Sequence, residues 1–180
     1  IFMEKFFKYY LNINNKILQN INTSVIKKLY VEIKKIKKNK KKILIFGNGA
    51  GASIASHFSN DITKTTKIRC LSFDSSTHIT CYANDYEFKN WVRETIKSHC
   101  DNRDLVILLS ASGNSKNMIE ASKYCKRQKI IFFSLTGFNK NNKLNKNSKN
   151  YIWIDSKSYN QVEISQLFIL LSLIDKLKNK

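Results

Sequence analysis

The sequence predicts an α/β fold in which a parallel sheet is covered by helices on both faces. Short apolar runs recur along the chain with helical patterns between them, which is the arrangement of βαβ units. Two of these runs, Lys42–Phe46 and Leu105–Leu109, stop at clusters of Gly, Ser and Asn. At 180 residues the chain is most simply one domain, long enough to bury a sizeable core.

The first part of the chain is predicted to form two helices. Apolar residues recur there at steps of three or four, at Phe6, Tyr10, Ile13, Ile17 and Ile21 and then at Val25, Leu29 and Ile33. The polar stretch Asn22–Ser24 between the two sets offers a helix cap. We therefore assign residues 1–40 to N-terminal helices and 41–180 to the α/β core.

The core is predicted to contain five strands with helices between them. The strands are Lys42–Phe46, Ile68–Ser72, Leu105–Leu109, Ile130–Leu135 and Tyr151–Ile154. The helices run through Ile54, Phe58 and Ile62, over Glu87–Ser98 and Lys116–Cys125, and from about Asn160 to Lys178. Residues Asn139–Lys149 are predicted to be a polar loop. The expected architecture is a three-layer sandwich with a five-stranded parallel sheet in the middle.

The formal charge of +19 raises the question of a nucleic-acid partner. Lysine and asparagine are abundant throughout and arginine, whose planar fork suits base edges, is scarce. The densest lysine run, residues 34–42, lies between a predicted helix and a predicted strand. We interpret the lysines as ordinary solvated surface and expect no nucleic-acid partner.

Membrane and disulfide-rich classes are also disfavoured. No apolar run reaches the roughly 18 residues that a membrane span needs. The four cysteines show no CxxC spacing, so we expect reduced, buried or half-buried thiols rather than a zinc site. We expect the protein in the cytoplasm.

Two turns between predicted strands and helices indicate a binding site. Asn48 and Gly49 follow the first strand, and Ser110, Ser112, Asn114 and Ser115 follow the third. Each turn opens a helix, whose free N–H groups and positive dipole end attract anions. In a parallel sheet both turns lie at the carboxyl edge, where ligands bind. The sequence therefore predicts a site for a phosphorylated ligand.

The motifs taken in order resemble a known family. They are Gly47-Asn-Gly-Ala-Gly-Ala52, His57-Phe58, Ala83-Asn-Asp-Tyr86, Ser110-Ala-Ser-Gly-Asn-Ser115, Leu135-Thr-Gly137 and a last helix with Glu163. This set resembles the SIS (sugar isomerase) domain, and within it the phosphoheptose isomerase branch. The resemblance implies a homotetramer with active sites at subunit contacts, and the conversion of sedoheptulose 7-phosphate to a heptose 7-phosphate.

The resemblance also implies roles for individual residues. Ser110, Ser112 and Ser115, with Asn114, would hold the substrate phosphate. Thr136 would line the same pocket, and Asn48, Gly49 and Asp85 would contact the sugar. His57, Asp61 and Glu163 are the candidate acid/base groups, and His57 and Asp61 lie at i and i+4 on one helix face.

The family's zinc is a candidate cofactor with an incomplete ligand set here. His57 and Asp61 match two of its positions, but Leu170 stands where the family has a last-helix histidine. A catalytically silent phosphosugar-binding or protein-interaction module is therefore the alternative to an isomerase. His78, close to Asp85 in sequence, is interpreted as a surface histidine, and His99 as a helix-end residue.

Overall fold

Eight helices and five strands make up the computed structural model, which describes residues 1–178. The strands are β1 (Lys42–Phe46), β2 (Arg69–Ser72), β3 (Leu105–Ser110), β4 (Ile131–Thr136) and β5 (Tyr151–Trp153). The helices are α1 (Phe2–Gln19), α2 (Thr23–Lys38), α3 (Ala50–Thr66), α4 (Ser76–Tyr86), α5 (Trp91–His99), α6 (Lys116–Arg127), α7 (Lys143–Asn147) and α8 (Tyr159–Lys178). The five predicted strands and the two N-terminal helices are confirmed.

The strands form one parallel sheet in the order β2-β1-β3-β4-β5. The central strands β1 and β3 are almost wholly buried, as expected for near-continuous apolar runs covered on both faces. The chain order and the spatial order differ, so β1 lies between β2 and β3. The turns after β1 and β3 are therefore neighbours at the carboxyl edge of the sheet.

Two apolar clusters sandwich the sheet. Alternate residues of each strand point to opposite faces, so Ile43 and Ile45 join one cluster, whereas Leu44 and Phe46 join the other. The first cluster packs against α1, α2, α3 and α8, and the second against α5, α6 and α7. This arrangement confirms the predicted three-layer sandwich.

Two local predictions are wrong. The helix predicted over Glu87–Ser98 is α5, which begins only at Trp91, and it is preceded by the unpredicted helix α4. The segment predicted as a polar loop, Asn139–Lys149, contains the short helix α7. Asn142 caps α7 by accepting a hydrogen bond from the Asn145 N–H, and Leu144 is fully buried.

Candidate active site

The turn between β3 and α6 contains a glycine where a side chain would not fit, and it is lined by hydroxyl groups. Gly113 has a positive φ of 66°, and a Cβ there would lie 2.1 Å from the side chain of the buried Asn142. The hydroxyl of Ser110 donates to that of Ser115 over 3.0 Å, and the hydroxyl of Ser112 accepts from the Asn114 N–H. We call residues 110–115 the serine turn.

The start of α6 presents backbone donors towards the serine turn. Ser115 is the N-cap residue, yet its side chain makes no capping hydrogen bond to the helix. The Met118 N–H is instead taken by the side chain of Asn117. The serine turn therefore combines hydroxyls, first-turn N–H groups and the positive end of the α6 dipole, which is the donor set that an anion needs.

The turn between β1 and α3 is locked to α6 by a pair of amides. Asn48 and Asn117 exchange two hydrogen bonds of 3.0 and 2.9 Å, so each side chain donates to and accepts from the other. Asn117 is almost fully buried and Asn48 is half-buried. The pair fixes the distance between the two turns at the edge of the sheet.

A cavity of about 130 Å³ lies between these two turns and helix α8. Its lining residues are Asn48, Gly51, Leu109, Ser110, Ala111, Ser112, Ser115, Tyr159, Glu163 and Gln166. Glu163 is the acidic residue in this lining. The cavity thus places a candidate base beside an anion site.

The structure adds Tyr159 and Gln166 to the predicted lining. Gln166 is buried and donates from its side chain to the Leu135 carbonyl over 2.8 Å. Both residues lie within one turn of Glu163 on α8, at steps of four and three. Their helical spacing from Glu163 is the feature of the sequence from which both residues could have been predicted.

A second cavity, of about 490 Å³, opens beside the first and shares Asn48 and Ser115 with it. Its remaining lining residues are Glu87, Phe88, Lys89, Lys116 and Asn117. Lys116 is exposed in the first turn of α6, next to the serine turn. The two cavities together give room for a ligand longer than its phosphate.

His57 and Asp61 form a pair outside this cavity. The His57 Nε2 lies 3.1 Å from an Asp61 oxygen, which confirms the i, i+4 proximity. Lys64 lies 3.2 Å from the other oxygen of Asp61, and its hydrogen bond holds the pKa of that carboxyl below the ordinary value. Both members of the pair are solvent-accessible on α3, and neither lines the cavity between the turns.

Other predicted site residues also lie apart from the cavity. Thr136 is fully buried, where its hydroxyl donates to the side-chain Oδ1 of Asn145 over 2.9 Å and accepts from the side-chain amide of Asn142. It therefore anchors α7. Asp85 is exposed on α4, where it accepts a hydrogen bond from its neighbour Asn84.

His78 is not the surface residue that the sequence suggested. It is half-buried on α4, stacks on Tyr82 with a centroid distance of 4.4 Å, and lies 2.8 Å from the Thr95 hydroxyl. Burial lowers the pKa of His78, and the neighbouring His99 lowers it further. The sequence pattern missed this because α4 itself was missed.

The cysteines are free, and their burial is uneven. Cys70 and Cys125 are buried and Cys100 is half-buried, as expected, but Cys81 is exposed on α4. Burial raises the pKa of the Cys100 thiol to about 11. Reactive thiolates at the buried positions are therefore disfavoured.

Comparison with known proteins identifies the family. The family model for the SIS domain matches residues 5–137. The chain belongs to the SIS domain family. The match covers both turns of the candidate site, the His57–Asp61 pair and the two N-terminal helices, whereas α8 with Glu163 lies beyond it.

Curated relatives of this SIS-domain protein are phosphoheptose isomerases. Phosphoheptose isomerase 2 of Campylobacter jejuni is 31% identical over 132 residues, which cover 69% of this chain and 66% of the relative. The Fusobacterium nucleatum enzyme is 34% identical over 102 residues, covering 54% and 53%. The match thus spans about half to two thirds of these relatives' length. A Buchnera aphidicola relative is 29% identical over 92% of both chains. These relatives confirm the resemblance to the phosphoheptose isomerase branch.

Solved structures of other proteins share the fold. Phosphoheptose isomerase GmhA from Neisseria gonorrhoeae superposes with a TM-score of 0.86 over the whole of both chains, at 18% identity. The NanR protein of Vibrio vulnificus, solved with ManNAc-6P, gives a TM-score of 0.74 over 99% of this chain and 62% of its own, at 14% identity.

The residues of this SIS-domain protein do not fit the family's zinc. Leu170, at the position of the missing histidine, is fully buried in the apolar cluster between α8 and the sheet. Across residues 1–178, no three His, Cys, Asp or Glu side chains come together in a way that could hold a metal ion. The Asp61 carboxylate forms an ion pair with the ammonium of Lys64, a cation that competes with a metal for the same oxygens.

Proposed function

We propose that this protein is a phosphosugar isomerase of the phosphoheptose isomerase type. It interconverts the aldose and ketose forms of sedoheptulose 7-phosphate or a related sugar phosphate. One observation carries the proposal: Glu163 and the serine turn line the same cavity, which Asn48 also lines. A phosphate site and a carboxylate in one cavity are what proton transfer along a phosphorylated sugar requires.

The serine turn would bind the phosphate. The hydroxyls of Ser110, Ser112 and Ser115 and the N–H groups at the start of α6 offer uncharged donors to its oxygens. The α6 dipole adds a favourable interaction with the dianion. Lys116 stands beside this turn and supplies a cation that strengthens the attraction at low ionic strength.

Glu163 would carry the proton. As a base, its carboxylate removes a proton from C1 of the ketose, the electrons of that C–H bond form the C1–C2 double bond, and the C2 carbonyl oxygen takes up a proton, which gives the enediol. The carboxylic acid then returns its proton to C2 while the C1 hydroxyl gives up its own proton, which forms the aldehyde of the aldose and restores the carboxylate. Tyr159 lines the same cavity, and its hydroxyl would hydrogen-bond a substrate oxygen while the charge moves.

The same proposal includes assembly into a homotetramer. The first turns of α1 expose a group of large apolar side chains, which are Ile1, Phe2, Met3, Phe6 and Phe7. Ile164 and Phe168 add a further exposed apolar pair on α8. Patches of this kind are typical of surfaces that another chain covers. A subunit contact could also bring His57 and Asp61, exposed here, to a site completed by two copies.

We further propose a cytoplasmic location. All four cysteines are unpaired, which favours a reducing compartment. Within residues 1–178, no helix is long and apolar enough to cross a membrane.

An NMR time course tests the function. Purified protein is incubated with sedoheptulose 7-phosphate, with EDTA in one arm and added zinc in another. The proposal expects a new aldose signal in every arm, because the acid/base group in the cavity is a carboxylate of the chain itself. A sugar phosphate that binds with no conversion in any arm would identify a silent binding module instead.

A further inference from the structure

The amino edge of the sheet, opposite the candidate active site, carries a regular row of basic residues. Each of the turns that lead into β1, β2, β3 and β4 contains one basic residue with a positive φ: Lys40, Lys67, Arg103 and Lys129. Each of these residues lies two positions before the first residue of its strand. We call these four residues the basic row.

The sheet aligns the basic row in space. Lys42 pairs with Arg69, Ile43 with Leu105, and Leu105 with Ile131. The four members therefore stand at the same level of the sheet to within one residue, in the order Lys67, Lys40, Arg103, Lys129. With strands about 4.8 Å apart, the row is about 14 Å long at the backbone.

The backbone fixes these positions at a cost. A non-glycine residue in the left-handed region costs roughly 1–2 kcal/mol, and glycine or asparagine is the usual choice there. The chain uses a basic residue at all four. The guanidinium of Arg69 donates to the Lys40 carbonyl over 2.6 Å, which holds the first two turns together.

The row as a whole keeps a net positive charge. All four side chains belong to exposed residues. Asp101 and Asp104 share the ammonium of Lys42, at 2.5 and 2.6 Å, and balance its charge and that of Arg103, so the positive charge comes from Lys40, Lys67 and Lys129. Lys41, Lys126 and Arg127 add further positive charge at the same edge.

A groove lies at one end of the row. A cavity of about 400 Å³ is bounded by Arg103 and Lys129, and its other walls include Tyr124, Asn102 and Gln128 together with the carboxylates of Asp101 and Asp104. Tyr124 is half-buried, and Lys97 and Arg127 lie against its ring, 5.8 and 5.7 Å from the centroid. A row of cations beside an aromatic side chain is a combination found in proteins that bind single-stranded nucleic acid.

We propose that the basic row and this groove bind single-stranded nucleic acid. Every nucleotide of a single strand carries one negative charge, so a row of cations attracts its phosphates whatever the base sequence. The sequence alone pointed the other way, because its lysines look evenly spread. The folded sheet gathers residues from four separate turns into one line, which the sequence pattern does not reveal.

Fluorescence anisotropy tests the proposal with two labelled 20-nucleotide probes, oligo(U) RNA and oligo(dT) DNA. A quadruple variant, Lys40→Asn, Lys67→Asn, Arg103→Asn and Lys129→Asn, removes the charge of the row. Asparagine accepts the left-handed conformation, so this change leaves the turns unstrained. A matched variant, Lys16→Gln, Lys143→Gln, Lys146→Gln and Lys157→Gln, removes the same charge from exposed positions elsewhere.

We expect the native protein to bind one or both probes at 50 mM NaCl. The row variant should bind at least tenfold more weakly, and its slope of log K against log salt should fall by about three, since each single-strand contact contributes about 0.7. The matched variant should stay within threefold of the native protein. Circular dichroism melting of both variants checks that the fold is kept.

Three results would overturn the proposal. The first is an absence of binding at 50 mM NaCl, and the second is an equal loss in the two variants, which would mean that net charge alone acts. The third is binding of poly-glutamate as tight as that of the oligonucleotides, because a site with base contacts must prefer nucleic acid. Stronger binding of RNA or of DNA identifies the partner and supports the proposal.

Discussion

At the scale of single residues, Glu163 is the side chain on which the proposed chemistry depends. It lines the same cavity as Ser110 and Ser112, whereas His57 and Asp61 lie outside it. The i, i+4 spacing of His57 and Asp61 was predictable, since a helix fixes it. Their distance from the cavity was not, because it depends on how α3 and α8 pack together.

Replacing Glu163→Gln should lower kcat by about 10²–10⁴-fold, the usual contribution of a positioned acid/base group. Glutamine keeps the shape of the side chain, so KM should change by less than about threefold. Steady-state kinetics with sedoheptulose 7-phosphate measures both values. Glu120→Gln, on α6 and paired with Lys123, is the matched control and should keep the native kcat. Equal kcat values for the Glu163→Gln variant and the native protein would contradict the role.

His78 should make the fold less stable in mild acid. Its pKa is lowered in the folded protein by burial, so the unfolded chain binds a proton more readily as the pH falls. The contribution of neutral His78 is complete above the ordinary histidine pKa of about 6.5 and is lost below it. The melting temperature should therefore fall between pH 7.5 and pH 5.5, and it should fall less in the His78→Gln variant. An identical fall in the two proteins would argue against this.

At the scale of elements, sequence periodicity predicted the strands and failed for two helices. The strands are short apolar runs between polar turns, which is the pattern expected of strands that are buried on both faces. Helix α4 has no fully buried residue and is rich in Ser, Thr and Asn, so neither an apolar stripe nor helix propensity marks it. Helix α7 has five residues and depends on the buried Thr136–Asn145 hydrogen bond, a contact that no local pattern encodes.

Gly113 and Gly49 illustrate two different reasons for a glycine in a turn, which are a positive φ and the lack of space for a Cβ. Both have a positive φ, of 66° and 54°, but a Cβ at Gly49 would meet nothing within 4 Å, whereas one at Gly113 would collide with Asn142. Asn142 cannot move away without breaking its bonds to Thr136 and Asn145. Gly113→Ala should therefore be about 1–3 kcal/mol more destabilising than Gly49→Ala, the cost of overpacking. Urea unfolding measures the difference, and equal losses would mean that only backbone strain acts.

At the scale of the whole molecule, the exposed apolar surface of α1 is the basis of the proposed assembly. Its apolar stripe through Phe6, Tyr10, Ile13 and Ile17 is buried at Ile17 but exposed at Phe6. No described residue therefore packs over the first turns of α1, although the apolar stripe continues through them. The sequence could predict the stripe, but not which half of it the chain itself would bury.

Light scattering after size exclusion should give a mass near that of four copies of the 21.0 kDa chain, about 84 kDa. The double variant Phe2→Ser and Phe6→Ser should shift the mass towards dimer or monomer, because it removes exposed apolar area from the first turns of α1. Lys5→Ser with Lys8→Ser, on the same turns, should keep the native mass. A native protein that elutes as a monomer would contradict the assembly.

The most direct test of the proposed function is deuterium incorporation during the reaction in D₂O. Sedoheptulose 7-phosphate is incubated with the native protein and with the Glu163→Gln variant, and the products are followed by NMR. Proton transfer through a carboxylate that exchanges with solvent predicts an aldose carrying deuterium at C2 with the native protein and almost none with the variant. Binding of the sugar phosphate without any aldose or deuterated sugar would contradict the account and leave the protein as a phosphosugar-binding module.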